Sequence, residues 1–92
     1  MRKHKSKLQK DENCYICGSP YTEEHHALHG TANRKKADKH GLIFYLCHKH
    51  HMELHDKNTQ LDRFLQVTAQ EYFEHYIGSR ADFIKEFGKS YI

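Results

Sequence analysis

The chain has 92 residues, 37% of them hydrophobic and 29% charged, with a formal net charge of +3 when histidine is neutral. That length allows one small domain with a thin core, which usually needs a staple such as a metal or a partner chain. The three cysteines, an odd number, argue against a secreted disulfide framework, and no apolar run approaches the roughly 18 residues of a membrane span.

Residues 1–12 carry Arg2, Lys3, Lys5, Lys7 and Lys10 with Leu8 as their aliphatic residue, and read as a flexible basic tail. No apolar region follows these charges, so a signal peptide is not expected. Residues 13–92 read as one domain, with a metal-bound core over 13–58 and helices over 59–92. Cys14-Tyr-Ile-Cys17 is followed by the turn residues Gly18, Ser19 and Pro20. A short strand is expected from Glu24 to His29, closed by Gly30, and a basic polar loop from Thr31 to Gly41. Leu42-Ile-Phe-Tyr-Leu46 has the β-branched and aromatic content of a second strand, which could form a hairpin with the first. A helix over 48–55 would end at Asp56-Lys57-Asn58. A second, over about 61–77, shows apolar residues at helical spacing from Leu61 to Ile77 and stops at Gly78. Ser79 and Asp82 have the spacing of a capping box opening a last helix that carries Phe83, Ile84 and Phe87 and ends at Gly88.

Cys14-x-x-Cys17 and Cys47-x-x-His50 are two ligand pairs of equal spacing. Two such turns converge on one tetrahedral ion, and thiolate with imidazole favours zinc. The odd cysteine count becomes natural once His50 is the fourth ligand. Such a site also supplies folding free energy that a thin core lacks. Among the other histidines, His51 and His55 stand four apart and share a helical face. His25 or His26 could complete a second metal shell, since adjacent residues of a strand point to opposite faces. His29 is a further candidate ligand, more simply read as the start of the loop.

Glu24-His-His-Ala27 and Leu46-Cys-His-Lys-His-His-Met-Glu-Leu-His55, with the Cys14/Cys17 knuckle upstream, resemble the HNH endonucleases. Within that family the chain is similar to small phage-encoded relatives of the RecA-dependent recombination-enhancement nucleases. The likeness extends through Tyr72–Tyr76 and Phe83–Gly88 and covers about residues 13 to 92. The resemblance implies an α+β fold: a small ββα-metal finger, a β-hairpin plus helix, with a structural zinc knuckle and C-terminal helices. It makes His26 the general base and His25, His51 and His55 the ligands of a catalytic divalent ion (Mg2+, Mn2+, Zn2+ or Ni2+). The family's middle asparagine has no direct counterpart here. His40 is taken in its place, with Asp38 or Asn33 as alternatives.

The activity so implied is metal-dependent hydrolysis of DNA phosphodiester bonds, by nicking or double-strand cleavage. The alternative is a zinc-stabilised nucleic-acid-binding module without catalysis. Arg34, Lys35 and Lys36 are the expected phosphate contacts, which position a backbone without reading bases. DNA, and a recombination or other targeting protein, are the expected partners, in the reducing cytoplasm of a bacterial or phage-infected cell, with no membrane involved. The oligomeric state is left open.

Overall fold

Leu42 to Cys47 is the longest apolar run, and every one of its residues is buried. The computed structural model describes residues 5–55 and 59–92, the side chains of Thr31 and His55 excepted. Within this run β2 (Phe44–Cys47) pairs antiparallel with β1 (Thr22–His25), placing Thr22 opposite Cys47 and His25 opposite Phe44. This two-stranded ribbon cannot stand alone in water. It is covered by α2 (His48–His55), and the chain continues into α3 (Thr59–Tyr76) and α4 (Arg80–Phe87). The fold is α+β, and among the described residues no helix is long and apolar enough to cross a membrane. Both strands fall near their expected positions, although β1 begins earlier and ends at His25. Ala27 and Leu28 beyond it are fully buried.

The expected loop over 31–41 is instead a helix, α1 (Thr31–His40), inserted between the two strands. It buries only Ala37 among its described side chains, so it has no apolar stripe to betray it. What makes it helical is composition and its C-terminal stop: Ala32, Arg34, Lys35, Lys36, Ala37 and Lys39 are good helix formers. Gly41, at φ 72°, closes it, with Gly41 N–H donating to Asp38 O and Leu42 N–H to Ala37 O. A side chain at Gly41 would also strike Lys7, since an added Cβ comes within 2.4 Å of Lys7 Cγ.

That contact belongs to the segment expected to be a flexible tail. Its residues 1–4 lie outside the described residues, but from Ser6 onward the chain is fastened to β2 and its approach. Ser6 is buried, its Oγ donating to Ile43 O at 2.6 Å, and Lys7 N–H donates to Gly41 O at 2.8 Å. Gln9 Oε1 accepts from Tyr45 N–H at 2.8 Å. An edge strand exposes unpaired backbone groups, and this short polar segment supplies their partners.

The C-terminal half follows the periodic pattern. Leu65, Ala69 and Phe73 of α3 are buried with Phe83 and Phe87 of α4, the Phe73 and Phe83 rings meeting edge to face at 5.3 Å. Both arms of the Ser79/Asp82 capping box are present. The fully buried Gln70 amide donates to Glu74 and Ser90 and accepts from Tyr91 N–H, fixing the C-terminal segment to α3. The end of α4 is held to α1: Asn33 Nδ2 donates to Phe87 O, Lys36 Nζ to Glu86 O, and His40 Nε2 lies 2.9 Å from Glu86 Oε2.

The His40 hydrogen bond holds the Glu86 carboxyl below its usual range, outweighing desolvation. A carboxylate with a lowered folded-state pKa contributes stability above the ordinary carboxylate range and loses it as pH falls through the folded value. Glu86→Gln is therefore expected to lower the urea midpoint at neutral pH, and the gap to wild type should close as pH falls below the ordinary carboxylate range. A gap that stays constant with pH would show that the ion pair contributes nothing measurable.

Candidate metal centre and histidine pocket

The Cys14–Cys17 turn is built by backbone bonds from Gly18 N–H to Cys14 O and from Cys14 N–H to Ser19 O, each 2.8 Å, with Gly18 at φ 82°. Tyr15 N–H donates to Tyr45 O and docks the turn on β2. Cys47 is the last residue of β2 and His50 lies in the first turn of α2, so strand end and helix start present the second pair. Cys17 Sγ and Cys47 Sγ are 3.7 Å apart, Cys14 Sγ and His50 Nδ1 3.6 Å, and Cys47 Sγ and His50 Nδ1 3.2 Å. Ligands of a tetrahedral zinc at about 2.3 Å (sulfur) and about 2.0 Å (nitrogen) stand roughly 3.8 Å (S···S) and roughly 3.6 Å (S···N) apart. The four residues can hold a metal ion, and their donors and spacing suit structural zinc. The sulfur separation also excludes a Cys17–Cys47 disulfide, which needs about 2.05 Å.

Burial pushes the Cys14 thiol up, but the amides of Cys47, Cys17 and Ile16 hold it down to about 6. Cys17 is drawn down by the Ser19 amide yet pushed up further by desolvation and by the Cys14 and Cys47 sulfurs, and it ends above its usual range. Of these two, Cys14 is the readier thiolate.

On the other side of α2, Glu24, His25, His26, His29, Arg34 and His51 line a pocket of about 480 Å³. His25, buried at the end of β1, faces α2, its ring 5.2 Å from that of His51. His51 Nδ1 lies 2.6 Å from Glu23 Oε1, while Glu23 Oε2 takes His48 Nδ1 at 3.0 Å. These hydrogen bonds, that of His51 first, lower the Glu23 pKa, so its carboxylate accepts and the His51 Nδ1–H donates. The neutral ring then carries its lone pair on Nε2, the arrangement by which a carboxylate orients a metal-binding histidine. Spacing alone passed over Glu23. Strand alternation was the available signal, because it places residues 23 and 25 on one face, toward α2.

His26 Nε2 lies 2.7 Å from Asp38 Oδ1, with both side chains about one-fifth exposed. With the Asp38 carboxylate accepting, His26 is held as the Nε2–H tautomer and Nδ1 carries the lone pair. Glu24, His26 and Asp38 also each bring a ligand atom within 4.8 Å of the others and could hold an ion. The 2.7 Å approach of Nε2 to Oδ1 is that of a hydrogen bond.

The partner of His26 is therefore Asp38, and His40 is not in this pocket. His40 lies edge-on to Phe73 at 5.6 Å and pairs with Glu86. Residues 38 and 40 of a helix are about 200° apart, so they cannot serve the same site. The same geometry divides the basic triplet. Arg34, one turn before Asp38, lines the histidine pocket. Lys36 turns away to Glu86 O, and Lys35 is exposed outside the pocket lining. Asn33 is likewise engaged elsewhere, by His29 O and Phe87 O. The backbone of His55 belongs to α2, but its side chain, and so its expected ligand role, lies outside the described residues.

Comparison with known proteins finds no family model, no curated protein and no solved structure that matches this chain.

Proposed function

We propose that the chain is a metal-dependent endonuclease of the HNH type that hydrolyses DNA phosphodiester bonds. One observation carries the reading: a single pocket is lined by His26, by the facing imidazoles of His25 and His51, by Arg34 and by Glu24, and His26 is oriented from behind by Asp38. The order β1, β2, α2 is then a ββα-metal finger with α1 as an insertion between its strands. In this reading the Cys14, Cys17, Cys47 and His50 site holds structural zinc.

Each residue has a distinct task. His26 Nδ1 accepts the proton of the attacking water, while Asp38 holds the tautomer and stabilises the imidazolium that results. Arg34 meets the phosphate oxygens at the rim. His25 and His51 would hold the catalytic divalent ion, joined by His55 as the HNH resemblance implies, and Glu23 sets the His51 tautomer. When bound there, such an ion supplies Lewis-acid stabilisation of the charge that develops on the phosphate and the leaving oxygen. Imidazole donors favour zinc, nickel or manganese over magnesium. DNA is the partner, delivered with help from a recombination or targeting protein, and the thiolate ligands suit a reducing cytoplasm.

The test is conversion of supercoiled plasmid to nicked or linear form by protein supplied with each divalent ion in turn. Cleavage by no ion, with salt-dependent DNA binding retained, would leave the non-catalytic binding module as the correct reading. In a cleaving protein, Asp38→Asn is expected to slow the reaction about 10- to 100-fold, because an outer partner that orients a histidine is typically worth that much.

A further inference from the structure

Arg63 and Lys89, two of the cations of the C-terminal half, have no task in this chemistry. Lys36 and Arg80 are tied within the fold, to Glu86 O and to Glu74. Arg63 and Lys89 have no carboxylate partner among the described residues. They line a second pocket of about 430 Å³ whose wall includes His29, Asn33, Gln66 and Tyr91 and no acidic side chain. The Asp62 carboxylate adjoins this wall without lining it, with Oδ2 3.2 Å from His29 Nε2.

Two neutral side chains of the wall, Asn33 and Gln66, are already engaged. Asn33 Nδ2 donates to His29 O and Phe87 O, and Gln66 Nε2 donates to Ala27 O at 3.2 Å. They stiffen the pocket, and an anion entering it is met by the two cations. Lys89 Nζ stands 5.0 Å over the Tyr91 ring, which keeps the ammonium near the wall.

His29 lines both this pocket and the histidine pocket, so the two are contiguous. A polyanion bound in one must continue past its rim. Toward Pro20, Tyr21 and Thr22 it would meet a hollow lined by the Glu23 carboxylate, which repels it. Over His29 it would meet Arg63 and Lys89.

We infer that the Arg63–Lys89 pocket is a subsite for a nucleic-acid phosphodiester backbone, holding a phosphate next along the strand from the one in the histidine pocket. The subsite rests on the nuclease reading for the direction of the strand, but its binding can be measured without cleavage. It assigns substrate contact to α3 and to the segment after α4, and to none of the residues matched to the HNH motif. The contacts are to phosphate, so they position the strand and do not read its bases.

The experiment is a fluorescence-anisotropy titration of labelled DNA and RNA oligonucleotides over a range of salt concentrations, without added divalent ion. It compares wild type with Arg63→Ala/Lys89→Ala and with Lys85→Ala, which removes a charge from the hollow beside His40 on another face. Thermal melts confirm that each variant is folded. Each phosphate contact contributes about 0.7 to 0.9 to the slope of log affinity against log salt. The subsite holds one phosphate, so the double variant is expected to lose roughly 0.7 to 0.9 of that slope, and at least about tenfold in affinity at low salt. Lys85→Ala should keep the wild-type slope. An unchanged slope in the double variant, or an equal loss in Lys85→Ala, overturns the subsite. If DNA and RNA lose alike, the contact is to phosphate, as inferred; a loss confined to one overturns a purely backbone contact. A slope change in a protein that nicks no plasmid sustains the subsite while the nuclease reading fails. Nicking with an unchanged slope does the reverse.

Discussion

Cys47→Ser is expected to remove the cooperative unfolding transition of this chain, and chelation of wild type should do the same. Cys47 ends β2, abuts α2, and stands 3.7 Å from Cys17 and 3.2 Å from His50, so one side chain joins the ribbon, the helix and the N-terminal turn. A structural zinc contributes about 10–16 kcal/mol to folding in small domains. The whole stability of a domain this size is about 5–15 kcal/mol, so removing the ion consumes all of it. Circular dichroism melts, paired with native mass spectrometry, check the claim. Wild type should carry one tightly held zinc that survives alanine substitution of His51, and the serine variant should carry none and melt without a sigmoid. A Cys47→Ser protein that unfolds at the wild-type temperature would refute a stapling role for the site.

Under the proposed chemistry, His26→Ala is expected to slow plasmid nicking by about 10²- to 10⁴-fold, the usual worth of a positioned general base. The fold should survive, because the His26 side chain is about one-fifth exposed and bonds to Asp38, itself partly open to solvent. The loss should therefore appear in the rate and not in the melt. Initial rates at saturating metal, with the melting curve of each protein beside them, separate the two effects. Equal nicking by wild type and variant would remove His26 from the chemistry and leave His25 and His51 as a site without a base.

What could be read in advance depended on whether a physical constraint leaves a local mark. The Cys14, Cys17, Cys47 and His50 set was visible because an ion demands ligands at short fixed spacings, and the same spacings recur twice. Helices α3 and α4 were visible because they bury one face, and because Ser79 and Asp82 cap the second. Helix α1 left no such mark. It rides on the surface with Ala37 inward, and polarity without period reads as loop. Misplacing that segment misplaced its residues. Treated as a loop, it put Lys36 and His40 near the expected catalytic ion; wound as a helix, it sends both to α4 and brings Asp38 to His26. The hold of Ser6 and Gln9 on β2 was hidden for another reason: a polar side chain that finds a distant backbone partner looks the same in sequence as one that faces water.

His50 and His51 are neighbours on one short helix, the first turned to the cysteines and the second to His25. Adjacent helical residues diverge by about 100°, so α2 is a common wall whose two sides carry different duties. Under the proposed chemistry this ranks the two ions. An ion lost from the His25 side empties a pocket whose walls still stand, and adding metal back restores it at once. An ion lost from the cysteine side takes down the wall itself, and the pocket with it. A chelator should therefore inactivate the protein in two stages, the first reversed by simple remetallation and the second recovered only as fast as the chain refolds.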